Sequence, residues 1–542
     1  MINIIPKPAK SEERYGDFVI DNNTTIYAED SLAFARDRFV DTVEAVCGYR
    51  LKVILSSETA DISFIVDKKQ PREGYIIDCT TEKIYVYAST KAGALYAIQS
   101  LRQLALADLI DEPESLSIHA VYIEDYPKYE WRGLMLDESR HFFGPEAVKS
   151  LLDMMAFHKL NVFHWHLTDN TGWRIEIKKY PRLTSVGSVR KGTQWKAWGQ
   201  NNIEWVPYDG FYTQEEIKEI VAYAARLNIM IVPEIDVPAH FAAAIAAYPE
   251  LGCFNKEIEP FVGHKGNNPG EYNIIACAGK DTTFQFIYDV IDEVSRLFPA
   301  PYFHIGGDEA PKEEWKKCPA CQKVIAEQNL SDEEDLQAYM NNKIAVYLQR
   351  KGKRLVGWNE ILKGKNLERS IIPQYWTHQP DNRVIEWMAS GGNVIISKHQ
   401  AFYFDMPYAQ IPLNDTYNFT PEKYGMSKNK HTILGVEGAV WTEWIPTQLR
   451  LDFQMYPRLE ALAEVAWTPE NQKDYNEFLK RLDKFLPTLD KMGKIYCPMH
   501  MVHSNCFKKL FSPLKFTKRD AHFEFNRAMQ YRRRKRVKKS KS

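Results

Sequence analysis

Nowhere in the 542 residues is there an uncharged apolar stretch of the roughly 18 residues that a membrane-spanning helix requires. The first ten residues, MINIIPKPAK, place Lys7 and Lys10 where a secretory leader has its apolar segment, so no signal peptide is read there. The cellular address stays open between a cytoplasmic chain and a periplasmic or secreted one that begins after cleavage. An excess of either charge is also missing: 70 Lys and Arg face 71 Asp and Glu, a net charge of -1, which removes the bulk support for a nucleic-acid partner. Eight cysteines are too few for a disulfide scaffold of this length. Cys318 and Cys321 form one CxxC, but no second pair follows closely, so two thiols on a surface turn are expected. Whether Cys253 and Cys277 pair is left open. No glycine-rich phosphate turn follows an early strand, which argues against a doubly wound nucleotide-binding sheet. Neither a metal site nor a cofactor is expected.

What is present is ordinary globular composition: 44% hydrophobic, 13% aromatic and 26% charged. The length suits two domains, or one large barrel with an appendage. Residues 1–125 alternate strand-like runs near 18–20, 25–28, 52–55, 63–66, 75–78 and 84–88 with helical patterns over 31–46 and 91–107, which predicts a small α+β domain. From Trp131 a rhythm of apolar strand, polar turn and helix sets in. The strand candidates are GLMLDES (133–139), NVFHWHL (161–167), IMIVPEID (229–236), YFHIGGDE (302–309), RLVGWNE (354–360), SIIPQYW (370–376), GNVIISK (392–398) and ILGVEGAVWTE (433–443). Near-continuous apolar runs are what buried parallel strands look like, and eight of them predict an α/β chain, a (β/α)8 TIM barrel over 126–496. The last twelve residues, YRRRKRVKKSKS, hold eight basic residues. Residues 497–542 are read as a basic, disordered C-terminal tail.

The strand ends carry the chemistry. Most finish in acids or aromatics: Asp137, His166 and Asp169, Glu234 and Asp236, Asp308 and Glu309, Trp358 and Glu360, Trp376, Trp441 and Glu443. In a barrel these ends share one face, where active sites sit. In HIGGDEA, two glycines precede two adjacent carboxylates and permit an irregular backbone that brings both to the mouth. A first helical turn would also favour this Asp-Glu pair. Paired carboxylates with four of the thirteen tryptophans, Trp165, Trp358, Trp376 and Trp441, at strand ends point to glycoside hydrolysis, since sugar rings stack on aromatic faces. Neighbouring residues do not easily flank a scissile bond, a difficulty removed when the substrate supplies its own nucleophile.

The set WRGLMLDESRHF, NVFHWHLTDNTGWR, VPEIDVPAH, HIGGDE, GWNE, QYW, YFDMPY and GVEGAVWTE resembles glycoside hydrolase family 20, the β-N-acetylhexosaminidases, from about Ile4 to Tyr496. The resemblance implies an exo-acting, retaining, metal-free hydrolase of terminal β-linked GlcNAc or GalNAc on glycans or chitooligosaccharides. It implies Glu309 as general acid/base, Asp308 as the holder of the 2-acetamido N–H, and Tyr403 as hydrogen-bond donor to the acetamido oxygen. Arg132, Glu443 and Asp405 would fix sugar hydroxyls. Trp358, Trp376 and Trp441 would wall the pocket, and Asp169 with His240 would support Glu309. His164 and His166 with Asp169 resemble metal ligands only superficially, and His304 is read as structural. Asn170 and Ala239 depart from the family pattern, which bears on local loop geometry. The alternatives are a lacto-N-biosidase-like enzyme releasing a disaccharide and a non-catalytic sugar-binding barrel.

Overall fold

The computed structural model describes residues 2–106, 115–195, 202–264 and 266–504, which divide into two compact units. The first comprises Met1–Arg132, Asp153–Asn161 and Pro457–Tyr496. Its seven-stranded mixed sheet runs in the order Lys10–Ile20, Leu116–Asp125, Tyr75–Cys79, Ile84–Ala88, Ile62–Val66, Thr25–Ala28, Lys52–Val53. Tyr75–Cys79 and Ile84–Ala88 bury every second residue, the strand period expected of a sheet with one covered face. The helices Ala33–Cys47 and Lys91–Leu106 place Phe39, Val43, Ile98 and Leu101 in one core with Phe64, Ile77 and Val86. The strand Leu116–Asp125 is absent from the sequence reading. Its last residue, Asp125, is a buried hub that accepts from the Tyr75 hydroxyl, from Lys159 Nζ at 2.9 Å and from Trp467 Nε1 at 2.8 Å.

The second unit contains a closed barrel of eight parallel strands: Trp131–Asp137, Val162–His166, Met230–Glu234, Tyr302–His304, Arg354–Trp358, Ile372–Tyr375, Val394–Ile396 and Ile433–Val440. All eight coincide with the expected runs, and the barrel follows the α+β sheet in the chain as expected. Register explains why the chemistry gathers. Asp137 lies opposite His166, His166 opposite Glu234, and Glu234 opposite His304, so four polar strand ends occupy one level.

Two expectations about boundaries change. The helices Arg458–Trp467 and Tyr475–Lys491 group with the N-terminal sheet rather than with the barrel. Residues 497–504, read as the start of the tail, pack in the second unit: Cys497 and Val502 are fully buried, and the Leu413 amide donates to the Val502 carbonyl at 3.0 Å. The reason is composition, since CPMHMV carries apolar side chains enough to be buried. The basic end of the chain lies outside the described residues. Among the described residues, no helix is long and apolar enough to cross a membrane.

Candidate active site

The fourth barrel strand ends at His304, and the chain then turns sharply through Gly306 and Gly307, with φ of 65° and 88°. Glycine is required at the first of these positions. A Cβ on Gly306 would lie 1.9 Å from an Asp236 carboxylate oxygen. The turn delivers Asp308 and Glu309 to the barrel mouth in different environments. Asp308 is buried, whereas the Glu309 side chain is 63% exposed and its backbone is left-handed, with φ of 48°. The Asp-Glu pair does not open a helix, since the next helix begins only at Glu313. Burial, together with the charges of Glu309 and Glu360, pushes the Asp308 carboxyl up to about 7 against the opposing pull of His240.

His240 connects the groups. Its Nε2 lies 3.7 Å from both Asp308 Oδ2 and Glu309 Oε2, and its Nδ1 lies 3.4 Å from Asp169 Oδ1. Burial opposes charge on this ring, but Asp169 and Asp308 outweigh it and raise its pKa well above the usual histidine range. Asp169 is likewise buried, yet Arg140 and His240 hold it well below the carboxylate range. Arg140 reaches Asp169 at 2.8 Å, Asp137 at 3.3 Å and Glu443 at 3.6 Å, with its guanidinium 4.9 Å from the Trp441 ring centre. Beneath this layer, buried Glu234 gathers His164, His166 and His304 and accepts from Trp358 Nε1.

A cluster of aromatic rings adjoins Arg140 through Trp441. Trp376 stacks on Tyr403 with ring centres 5.9 Å apart, and Trp441 lies 5.8 Å from Trp358 and 6.4 Å from Tyr403. Burial and the negative Asp308 both raise the Tyr403 hydroxyl well above its usual range, so it stays a donor. Two clefts open at Glu309 and His240. One, of about 300 Å³, is lined also by Arg140, Asp169 and Glu443; the other, of about 750 Å³, by Tyr272 and Glu313.

A family model described as the catalytic domain of glycosyl hydrolase family 20 matches residues 129–470, and one described as domain 2 of that family matches residues 1–126. The chain belongs to glycosyl hydrolase family 20. A β-hexosaminidase of Porphyromonas gingivalis is 40% identical over 519 residues, which cover 91% of this chain and 64% of that relative, so the chain spans less than two thirds of its length. The solved β-N-acetylhexosaminidase of Bacteroides fragilis shares 33% identity at a TM-score of 0.80, covering 91% of this chain and 97% of that one. An exo β-N-acetylglucosaminidase of Vibrio harveyi, solved in complex with N-acetylglucosamine, shares 30% identity at a TM-score of 0.81, covering 92% and 78%.

In this family 20 chain, Asp308, Glu309, Asp169, His240, Trp358, Trp376, Tyr403, Trp441 and Glu443 are linked by the contacts above. Asp405, two residues from Tyr403, is buried in the same segment, and its carbonyl accepts from Gln454. Arg132 is not brought to the site. It stands at the opposite end of the first barrel strand from Asp137, fully buried, with its guanidinium donating to Glu73, the Tyr96 hydroxyl and the carbonyls of Tyr129 and Lys159. The arginine at the mouth is Arg140, from the same motif. Its signal was its place just past the strand's C-terminal end, where barrel chemistry lies. The surface-turn reading of Cys318 and Cys321 also fails, since both are buried.

Proposed function

We propose that this family 20 protein is an exo-acting, retaining β-N-acetylhexosaminidase in which the substrate's 2-acetamido group is the nucleophile. One observation carries the reading: Asp308 and Glu309 both approach the same nitrogen of His240, at 3.7 Å. As chain neighbours on one turn, they reach the cleft from the same strand end. A protein nucleophile and acid/base would flank the bond about 5–5.5 Å apart. Two neighbouring residues do not easily flank a scissile bond in that way, which supports an attacking oxygen supplied by the sugar.

Glu309, exposed at the cleft, protonates the glycosidic oxygen as the bond to the anomeric carbon breaks. Asp308, ionised, accepts the acetamido N–H. The acetamido oxygen forms its bond to the anomeric carbon, giving an oxazolinium whose positive charge Asp308 faces. Tyr403 donates to that oxygen, and Trp358, Trp376 and Trp441 wall the ring and the methyl group. Glu309 then takes a proton from water, which opens the intermediate with net retention. Arg140, Glu443 and Asp405 hold sugar hydroxyls, and the Asp169–His240 pair positions Glu309. The substrates are terminal β-linked GlcNAc or GalNAc on glycans or chitooligosaccharides.

The test is a pair of aryl β-glycosides and two variants. Aryl β-GlcNAc is cleaved and aryl β-glucoside is not; comparable turnover of the glucoside overturns the proposal. Glu309→Gln loses far more rate on a disaccharide than on an aryl substrate whose leaving group needs no proton. Asp308→Asn loses about the same on both, on the order of 2.7–4 kcal/mol if it resembles removal of one preorganised electrostatic group. The opposite pattern exchanges the two roles.

A further inference from the structure

We propose that Cys253, Cys277, Cys318 and Cys321 form a tetrathiolate zinc site. The inference rests on the cysteines alone and stands whatever the substrate. The four sulfurs lie within 4.8 Å of one another, and all four residues are buried. Sγ of Cys277 is 3.7 Å from that of Cys318 and 3.7 Å from that of Cys321, and Cys253 Sγ is 3.9 Å from Cys321 Sγ. A tetrahedral zinc site with Zn–S bonds of about 2.3 Å has sulfur–sulfur edges of about 3.8 Å. A disulfide needs about 2.05 Å. Four converging thiols offer each other only weak hydrogen bonds, whereas one divalent cation satisfies all four as thiolates.

The surrounding backbone is built to hold them. Gly252 and Ala276 form a β-bridge, the Cys277 amide donates to the Leu251 carbonyl at 2.8 Å, and Trp315 Nε1 donates to the Ala276 carbonyl at 2.9 Å. Gly279 packs so tightly on the second pair that a Cβ there would lie 2.3 Å from the Ala320 carbonyl carbon. The helix Pro319–Glu327 has Cys318 as its N-cap and Cys321 in its first turn, so two of the sulfurs belong to its positive end, and Lys280 Nζ bonds the Gly252 carbonyl at 2.6 Å. Both features favour the net negative charge of a zinc tetrathiolate.

The site joins two loops of the barrel mouth. Cys253 and Cys277 belong to the excursion after the third strand, where the Ala276 amide bonds the Pro238 carbonyl at 2.9 Å, two residues before His240. Cys318 and Cys321 follow the fourth strand, nine residues beyond Glu309 at the nearer cysteine. Zinc would therefore tie the His240 loop to the carboxylate loop. Its role is structural, since all four positions of the tetrahedron are taken by protein.

The experiment measures metal in protein expressed with zinc in the medium and purified without a metal-affinity resin. Elemental analysis is expected to find one zinc per chain, and Cys318→Ser/Cys321→Ser none. Reduced wild-type protein stripped of metal takes up one equivalent of cobalt(II) with the thiolate charge-transfer bands of a tetrahedral site, and its melting temperature rises when zinc is restored. The variant can fail to fold, so the wild-type zinc count and cobalt titration decide. Absence of zinc together with no cobalt uptake overturns the proposal, as does one equivalent of iron in zinc's place. A non-reduced mass short by four hydrogens, showing two disulfides among these cysteines, overturns it equally.

Discussion

Asp308 carries opposed demands. Its carboxyl is raised to about 7, so burying it charged works against folding. A carboxylate raised above its unfolded value favours the fold below the ordinary carboxylate range and loses that contribution as pH climbs through about 7. Asp308→Asn is therefore expected to melt above wild type at pH 8 and near it at pH 4, by calorimetry at both values; an equal shift at the two pH values rejects the argument. Activity in the proposed mechanism needs the ionised form, so the acid limb of kcat/KM should follow this group. Glu360 is among the charges that raise it. Glu360→Gln is expected to move that limb to lower pH by about half a unit, equivalent to roughly 0.7 kcal/mol. Arg132 and Arg140 give a sharper contrast. Arg140 faces three carboxylates, and its loss removes the one cation that all three share. Arg140→Met should raise KM strongly as well as destabilise, while Arg132→Met destabilises by about 3–5 kcal/mol and leaves KM of the folded protein nearly unchanged. Melting curves with steady-state kinetics separate the two. Both arginines stand in WRGLMLDESRHF. The motif alone does not say which stands at the barrel mouth; the direction of the strand does.

At the scale of elements, the turn after the fourth strand depends on its backbone more than on its side chains. Gly306→Ala combines a left-handed φ with a Cβ 1.9 Å from Asp236, so the turn has to move. A displacement of about 1 Å at reacting groups costs on the order of 100-fold, and kcat/KM is expected to fall at least that far while circular dichroism stays native. Full activity in this variant would show that the turn is not what sets the carboxylates. The eight barrel strands were legible because parallel strands buried on both faces leave unmistakable apolar runs. Leu116–Asp125 was not, although its first five residues alternate buried and exposed positions, because Ala120 and Val121 are both buried and break the period-two pattern. The cysteine cluster was illegible for a different reason. Its first two members are separated by an excursion of the chain, so only folding brings CxxC its partners.

For the whole molecule, repetition made the barrel visible, and the N-terminal sheet followed from period-two patterning. The grouping of the two last helices with that sheet was invisible, because amphipathic helices record only that one face is covered, not by what. The same holds after Tyr496. Cys497 and Val502 are buried in the barrel unit, so a chain ending at Tyr496 is expected to melt below one ending at Ser504, in parallel thermal scans. Equal melting temperatures would show that this packing contributes nothing.

Asp308 and Glu309 hang from a single short turn, and a preparation that ages will show it. Enzymes with their two carboxylates on separate strands can lose one and keep a crippled chemistry. Here a clipped or collapsed turn removes both of the carboxylates proposed as polariser and proton donor in the same event. Stored protein should become a mixture of intact and dead molecules, so titration with a tight-binding oxazoline mimic will count fewer sites while the survivors keep their KM.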